Sequence, residues 1–146
     1  MRSSRLSAPK VMRMIDETRL RVDREADVVA VRQQGRELAA RVGITNSDLT
    51  VVATAISEIA RNIITYAERG EIILRIAQNG RRRGIVVIAR DNGPGIADID
   101  LAMRDGFSTG GSLGIGLPGA RRLMDEFELT SEQGKGVVVT MTKWAR

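Results

Sequence analysis

The clearest repeat in the chain runs from Leu49 to Ala67. Leu49, Val52, Ala53, Ile56, Ile59, Ala60, Ile63 and Ala67 recur at about 100° per residue, the stripe of an amphipathic helix. Asn46 or Ser47 is placed to cap its start, and Glu68, just before Gly70, to end it. Glu58 and Asn62 stand four residues apart on roughly the opposite face, so they are neighbours. Upstream, Thr18–Asp23 alternates with Leu20 and Val22 on one side, the pattern of an edge strand. Asp27 reads as the N-cap of a helix to Val42, stopped by Gly43. Downstream, Glu71–Ala77 and Gly84–Arg90 are Ile/Val-rich strands separated by a Gln78–Arg83 turn that contains Asn79-Gly80. A Gly-rich stretch over 106–119 opens into a helix at about Leu117–Glu126. Glu128–Glu132 and Val137–Lys143 then form a last hairpin around Gln133–Gly136. These elements predict an α+β protein: a two-layer α/β sandwich, with helices on one face of a mostly antiparallel sheet. Residues 1–16 read as a flexible basic extension and 17–146 as one domain.

Composition narrows the chemistry. The chain has no Cys and no His, which removes disulfides, Cys/His zinc sites, thiol nucleophiles and Ser-His-Asp catalysis. Only 3% of residues are aromatic, too few for a base-stacking surface, so no nucleic-acid partner is expected. The net charge of +5 is concentrated at the start: residues 1–24 hold seven basic and three acidic side chains, and the other 122 residues are nearly balanced. A solvated arm is the plain reading of that leader, contact with an acidic partner the other. No apolar run reaches membrane-spanning length and no signal-peptide stretch opens the chain, so the expected location is cytoplasmic, with no membrane contact.

Three segments can carry function, and each has a bland reading beside it. Asp91-Asn-Gly93-Pro-Gly95 ends a buried strand. It is a good tight turn, but its carboxylate can also accept a hydrogen bond from an exocyclic amine while the glycines admit a flat ring. Gly110–Gly119 is the end of a polar, lid-like stretch or, with glycine amides leading into a helix, an anion site. Its match to G-x-G-x-x-G over 114–119 lacks the preceding strand and βαβ unit of a dinucleotide fold, and no Lys-Ser/Thr follows to make a P-loop. Glu58 and Asn62 are ordinary solvent-facing residues, or a general base and an oxygen ligand for Mg²⁺.

The ordered set decides between these readings. Glu58-x-x-x-Asn62, then Asp91-x-Gly93-x-Gly95, then Gly114-x-Gly116-Leu117 resembles the GHKL (Bergerat-fold) ATPase/kinase superfamily from about residue 18 onward. Within it, 54–63, 105–109, 114–119, 122–127 and the ending Thr142-Lys-Trp-Ala-Arg146 are similar to the RsbT-type switch-protein serine/threonine kinases. The resemblance implies ATP/ADP as cofactor. Asp91 would hold the adenine amine, with Gly93, Gly95 and Ile96 against the ring. Asn62 would bind Mg²⁺, and the amides of Gly114, Ile115, Gly116 and Leu117 would take the phosphates under a lid at about 97–113. Glu58 would be the general base. It further implies a bacterial partner-switching (stressosome) role: phosphorylation of STAS-domain proteins, and binding and activation of a PP2C-type phosphatase. Histidine autophosphorylation is excluded because the chain has no histidine. Two alternatives remain at this stage, an anti-sigma factor kinase that sequesters a sigma factor and a nucleotide-tuned binding module. The oligomeric state is open between monomer and homodimer. One position departs from the family pattern: Val137 stands where a Thr hydroxyl usually supports the adenine contact, which removes a companion of Asp91.

Overall fold

The structure is a computed structural model that describes residues 13–67, 69–93, 103, 116–132 and 134–146. In chain order they form β1 (Arg13–Val22), α1 (Glu25–Arg41), α2 (Ser47–Ala67), β2 (Gly70–Asn79), β3 (Arg82–Asp91), α3 (Gly116–Leu123), β4 (Glu126–Glu132) and β5 (Gly136–Trp144). The strands make one five-stranded sheet in the order β1-β2-β3-β5-β4, and every pairing is antiparallel. Leu74, Ile76, Val87, Val139 and Met141 point from the sheet into one core with Val31, Leu38, Ile56, Ile59, Leu117 and Ala120 of the helices. This is the expected two-layer arrangement. Among the described residues no helix is long and apolar enough to cross a membrane.

The other sheet face shows why the helices stay on one side. Glu17 pairs with Arg19 at 2.7 Å and Arg75 at 2.9 Å, and Glu71 with Arg19 at 3.3 Å and Arg90 at 3.7 Å, a ladder of charge across β1, β2 and β3. The guanidinium groups beside Glu17, Arg19 first, lower its pKa. At the far end of this face Trp144 packs with Ala77 and Val86, stacks under Arg82 at 4.4 Å and donates its indole N–H to Glu126 at 2.9 Å.

Several boundaries move, each for a local reason. β1 begins at Arg13 because its pairing with β2 extends to Gln78, so the last four residues of the expected extension belong to the sheet. Asp27 is not the N-cap of α1. The helix starts two residues earlier, and the Asp27 carboxylate reaches back to accept the N–H groups of Asp23 at 2.8 Å and Arg24 at 3.2 Å. Those two bonds, Asp23 first, hold its pKa low. At the other end, Gly43 N–H donates to Ala40 O and Ile44 N–H to Ala39 O, both at 3.1 Å, the Schellman pattern expected of a Gly stop.

α3 ends at Leu123 rather than Glu126, because β5 captures the chain. Asp125 N–H donates to Thr142 O at 2.9 Å, and the Asp125 carboxylate accepts the Trp144 N–H at 2.8 Å and the Arg146 guanidinium. The buried Lys143 ammonium donates to Leu123 O at 2.9 Å, capping α3, and lies 3.7 Å from Asp125. Burial pushes the Asp125 pKa up, but the Trp144 N–H and the charges of Lys143 and Arg146 outweigh it and leave it lowered. The carboxylate therefore stabilises the fold above the ordinary aspartate pKa, and this contribution is lost as pH falls through the lowered value. Asp125→Asn is expected to cost about 1 kcal/mol at pH 7, with the difference from wild type closing in acid. Urea unfolding at both pH values checks it.

Candidate functional site

α2 carries the site along its length. Its stripe is buried from Val52 to Ile63 as the periodicity predicts, with Leu49 and Ala67 half-buried at its ends, but Ala55, Ser57 and Glu58 are buried too, because α1 flanks one side of the helix and α3 the other. Glu58 is therefore not a solvent-facing residue. Its side chain is 9% exposed and both carboxylate oxygens are engaged. Oε1 accepts the Gly116 N–H at 3.0 Å, at the first residue of α3, and Oε2 accepts from Arg61 Nη1 at 3.3 Å. Asn62 lies one turn on, half-buried and with no hydrogen-bond partner among the described residues.

Asp91 ends β3 and is also buried. Its Oδ1 accepts two backbone N–H groups, from Gly93 at 2.9 Å and from Val137 at 3.2 Å. The carboxylate is thus held from its own loop and from the β4–β5 hairpin, with Oδ2 unpartnered among the described residues. Two glycines make this possible. Gly136 has φ +101°, and a Cβ there would lie 2.1 Å from Asp91 O; Gly93 packs so closely on the end of α2 that a Cβ would lie 2.6 Å from Ala67 Cβ. The expected loss of a companion at Val137 is thereby made good in part. The valine side chain is in the core, and its backbone amide supports Asp91.

Of the residues singled out from sequence, the structure brings Glu58 and Gly116 into direct contact, and seats Gly93 against the same helix. The Leu117 side chain is buried and anchors α3 in the core. Gly95, Ile96, Gly114, Ile115 and, apart from Met103, the stretch read as a lid lie outside the described residues. Sequence reasoning missed Arg61, although its place three residues after Glu58 is readable as an i,i+3 partner. It also missed the Val137 N–H, which no side-chain pattern reports. A cleft of about 620 Å³ between α1 and α2 opens beside Glu58, lined by Arg32, Arg36 and Arg61 together with Thr50, Thr54 and Ser57.

A long helix presenting a carboxylate and an amide, a carboxylate held rigid at a strand tip and a helix N-terminus against the first carboxylate are the parts of a nucleotide-binding ATPase domain. The chain belongs to the histidine kinase-like ATPase domain family, whose model matches residues 22–143. Over 134 residues it is 49% identical to the serine/threonine-protein kinase RsbT of Bacillus subtilis, covering 91% of this chain and 100% of that one, and within the family it falls with the RsbT-type serine/threonine-protein kinases. An anti-sigma F factor of Clostridium kluyveri is 35% identical over 103 residues, 68% of this chain and 72% of that one. Among solved structures, the RsbU and RsbW domains of a Mycobacterium tuberculosis protein share the fold, with a TM-score of 0.59 at 24% identity. That match covers 90% of this chain, which spans only 33% of the larger one.

Proposed function

We propose that this protein is an ATP-dependent serine/threonine kinase of a bacterial partner-switching stress-response module. Its substrates are STAS-domain proteins, and once released from them it binds and activates a PP2C-type phosphatase. The observation that carries the nucleotide reading is the clamp on Asp91. Two backbone amides occupy Oδ1 and hold the group in place, leaving Oδ2 to accept from an adenine amine. From Ala67, which touches Gly93, back to Glu58, which touches Gly116, is nine residues of helix, about 13 Å. A nucleoside triphosphate bridges such a distance, with its base at one end and its phosphates at the other.

The residues present fit Mg²⁺. That ion needs few protein ligands when phosphates and water supply the rest, and the amide of Asn62, without a partner among the described residues, offers one oxygen a turn from Glu58. When bound, the ion neutralises phosphate charge. In this reading Glu58 takes the proton of a partner's Ser or Thr hydroxyl. The hydroxyl oxygen bonds the γ-phosphorus, the bond to the β–γ bridging oxygen breaks, and ADP leaves. Positioning does most of the work, so a domain without a covalent nucleophile suffices.

Incubation with Mg-ATP and the STAS-domain proteins of the same cell should yield a phosphoserine or phosphothreonine identifiable by mass spectrometry. No transfer to any of them would overturn the substrate assignment. The similarity to anti-sigma F factors supports a second reading, sequestration of a sigma factor. It ranks lower because that match is weaker and shorter than the full-length match to a kinase. Recovery of a sigma factor in place of STAS-domain proteins on the immobilised chain would reverse the order.

A further inference from the structure

The surroundings of Glu58 are those of a bound anion. A backbone N–H at the start of a helix and a guanidinium are the two groups that proteins most often turn towards phosphate oxygens. Here the Gly116 N–H and Arg61 Nη1 converge on one carboxylate instead, at 3.0 and 3.3 Å. The contact is not a casual surface pairing, because Glu58 is 8% exposed and a buried carboxylate depends on such partners. It also conflicts with the mechanism. The Gly116 N–H occupies one side of the oxygen a base would turn to the acceptor hydroxyl, and that N–H is among the amides assigned to the phosphates. One N–H cannot serve both acceptors at full strength.

We infer that in the nucleotide-free protein Glu58 is a tethered stand-in for a nucleotide phosphate, and that nucleotide binding displaces it from the Gly116 N–H and so frees the base. The inference rests on the kinase reading above. Two consequences follow. Oε1 is fully open to the acceptor hydroxyl only when the phosphoryl donor is in place. Nucleotide affinity is lower than the site could provide, because an incoming phosphate must first displace a resident anion.

The test compares the full-length protein with Glu58→Ala, which removes the competitor, and Glu58→Gln, which keeps an acceptor but removes its charge. Calorimetry gives ADP affinity, and amide hydrogen exchange by NMR reports on the Gly116 N–H with and without ADP. Expected is a gain in ADP affinity of about threefold or more for Glu58→Ala, with Glu58→Gln between it and wild type. Without nucleotide, Gly116 exchange should accelerate about tenfold in Glu58→Ala and slow again when ADP is added. Gly116 exchange that is the same in nucleotide-free wild type and both variants would overturn the inference, even if affinity rose. That pattern would mark simple charge repulsion. Equal ADP affinity in all three proteins would overturn it as well, leaving the kinase reading intact. Failure of wild type and both variants to bind nucleotide at all would overturn the kinase reading and this inference together. Should Glu58→Ala not fold, the Glu58→Gln comparison alone still decides, since the neutral acceptor must loosen Gly116 and tighten ADP relative to wild type.

Discussion

Glu58→Gln is expected to lower phosphoryl transfer by about 10²–10⁴-fold, the usual contribution of a positioned general base. The substitution isolates that role well. Glutamine has nearly the volume of glutamate and keeps an amide oxygen for the Gly116 N–H, so the α2–α3 contact survives. What is lost is proton affinity and the pairing with Arg61, whose guanidinium side chain is 41% exposed. The Arg61 end of the pair reaches solvent although Glu58 is buried, so its loss is expected to cost about 1 kcal/mol, too little to unfold the domain. Transfer from γ-labelled ATP to a STAS-domain partner, measured with a thermal melt of the same preparation, checks it. Transfer within a few-fold of wild type would remove Glu58 from the role of base.

Asp91→Asn is expected to weaken nucleotide binding by about 10- to 150-fold, the worth of a charge-assisted hydrogen bond of about 1.5–3 kcal/mol. The amide oxygen can take the place of Oδ1 and still accept the Gly93 and Val137 N–H groups, so the loop and hairpin stay in register. The amide nitrogen then lies where Oδ2 was and turns a donor towards the donor of the adenine ring. Asp91→Ala would be a poorer probe, because it strands two N–H groups at a buried site and confounds affinity with folding. Calorimetric titration with ATP and ADP, alongside urea unfolding, separates the two effects. Unchanged affinity would show that the strand-tip carboxylate does not hold the base.

These two experiments bear on the middle and the last turn of α2, and that division explains how the family's pattern is spread along the chain. Glu58 and Asn62 are close in sequence because one helix presents both. Asp91 is distant in sequence, yet Gly93 brings its loop against the last turn of the same helix.

The chain's own pattern of apolar residues determined the layers of this protein: a stripe on α2, paired Ile/Val strands, a Gly stop after α1 and a last hairpin are all local, repeating signals. The spacing of Glu58, Asn62, Asp91, Gly93 and Gly116 was equally legible, because side-chain chemistry is written in residue types. What only the tertiary structure decided is what surrounds those groups. Glu58 stands on the polar side of an isolated helix wheel, yet it is buried because α3, some sixty residues later in the chain, packs across it. The support of Asp91 by Val137 was invisible because the donor is a backbone N–H, common to every residue but proline, and only the register of the β4–β5 hairpin aims this one. Helix starts and stops moved for a similar reason: Asp27 reached back to cap an earlier turn, and the pull of β5 on Asp125 ended α3 early. Periodicity reports which face of an element is apolar, whereas burial and hydrogen bonding depend on which other element arrives there.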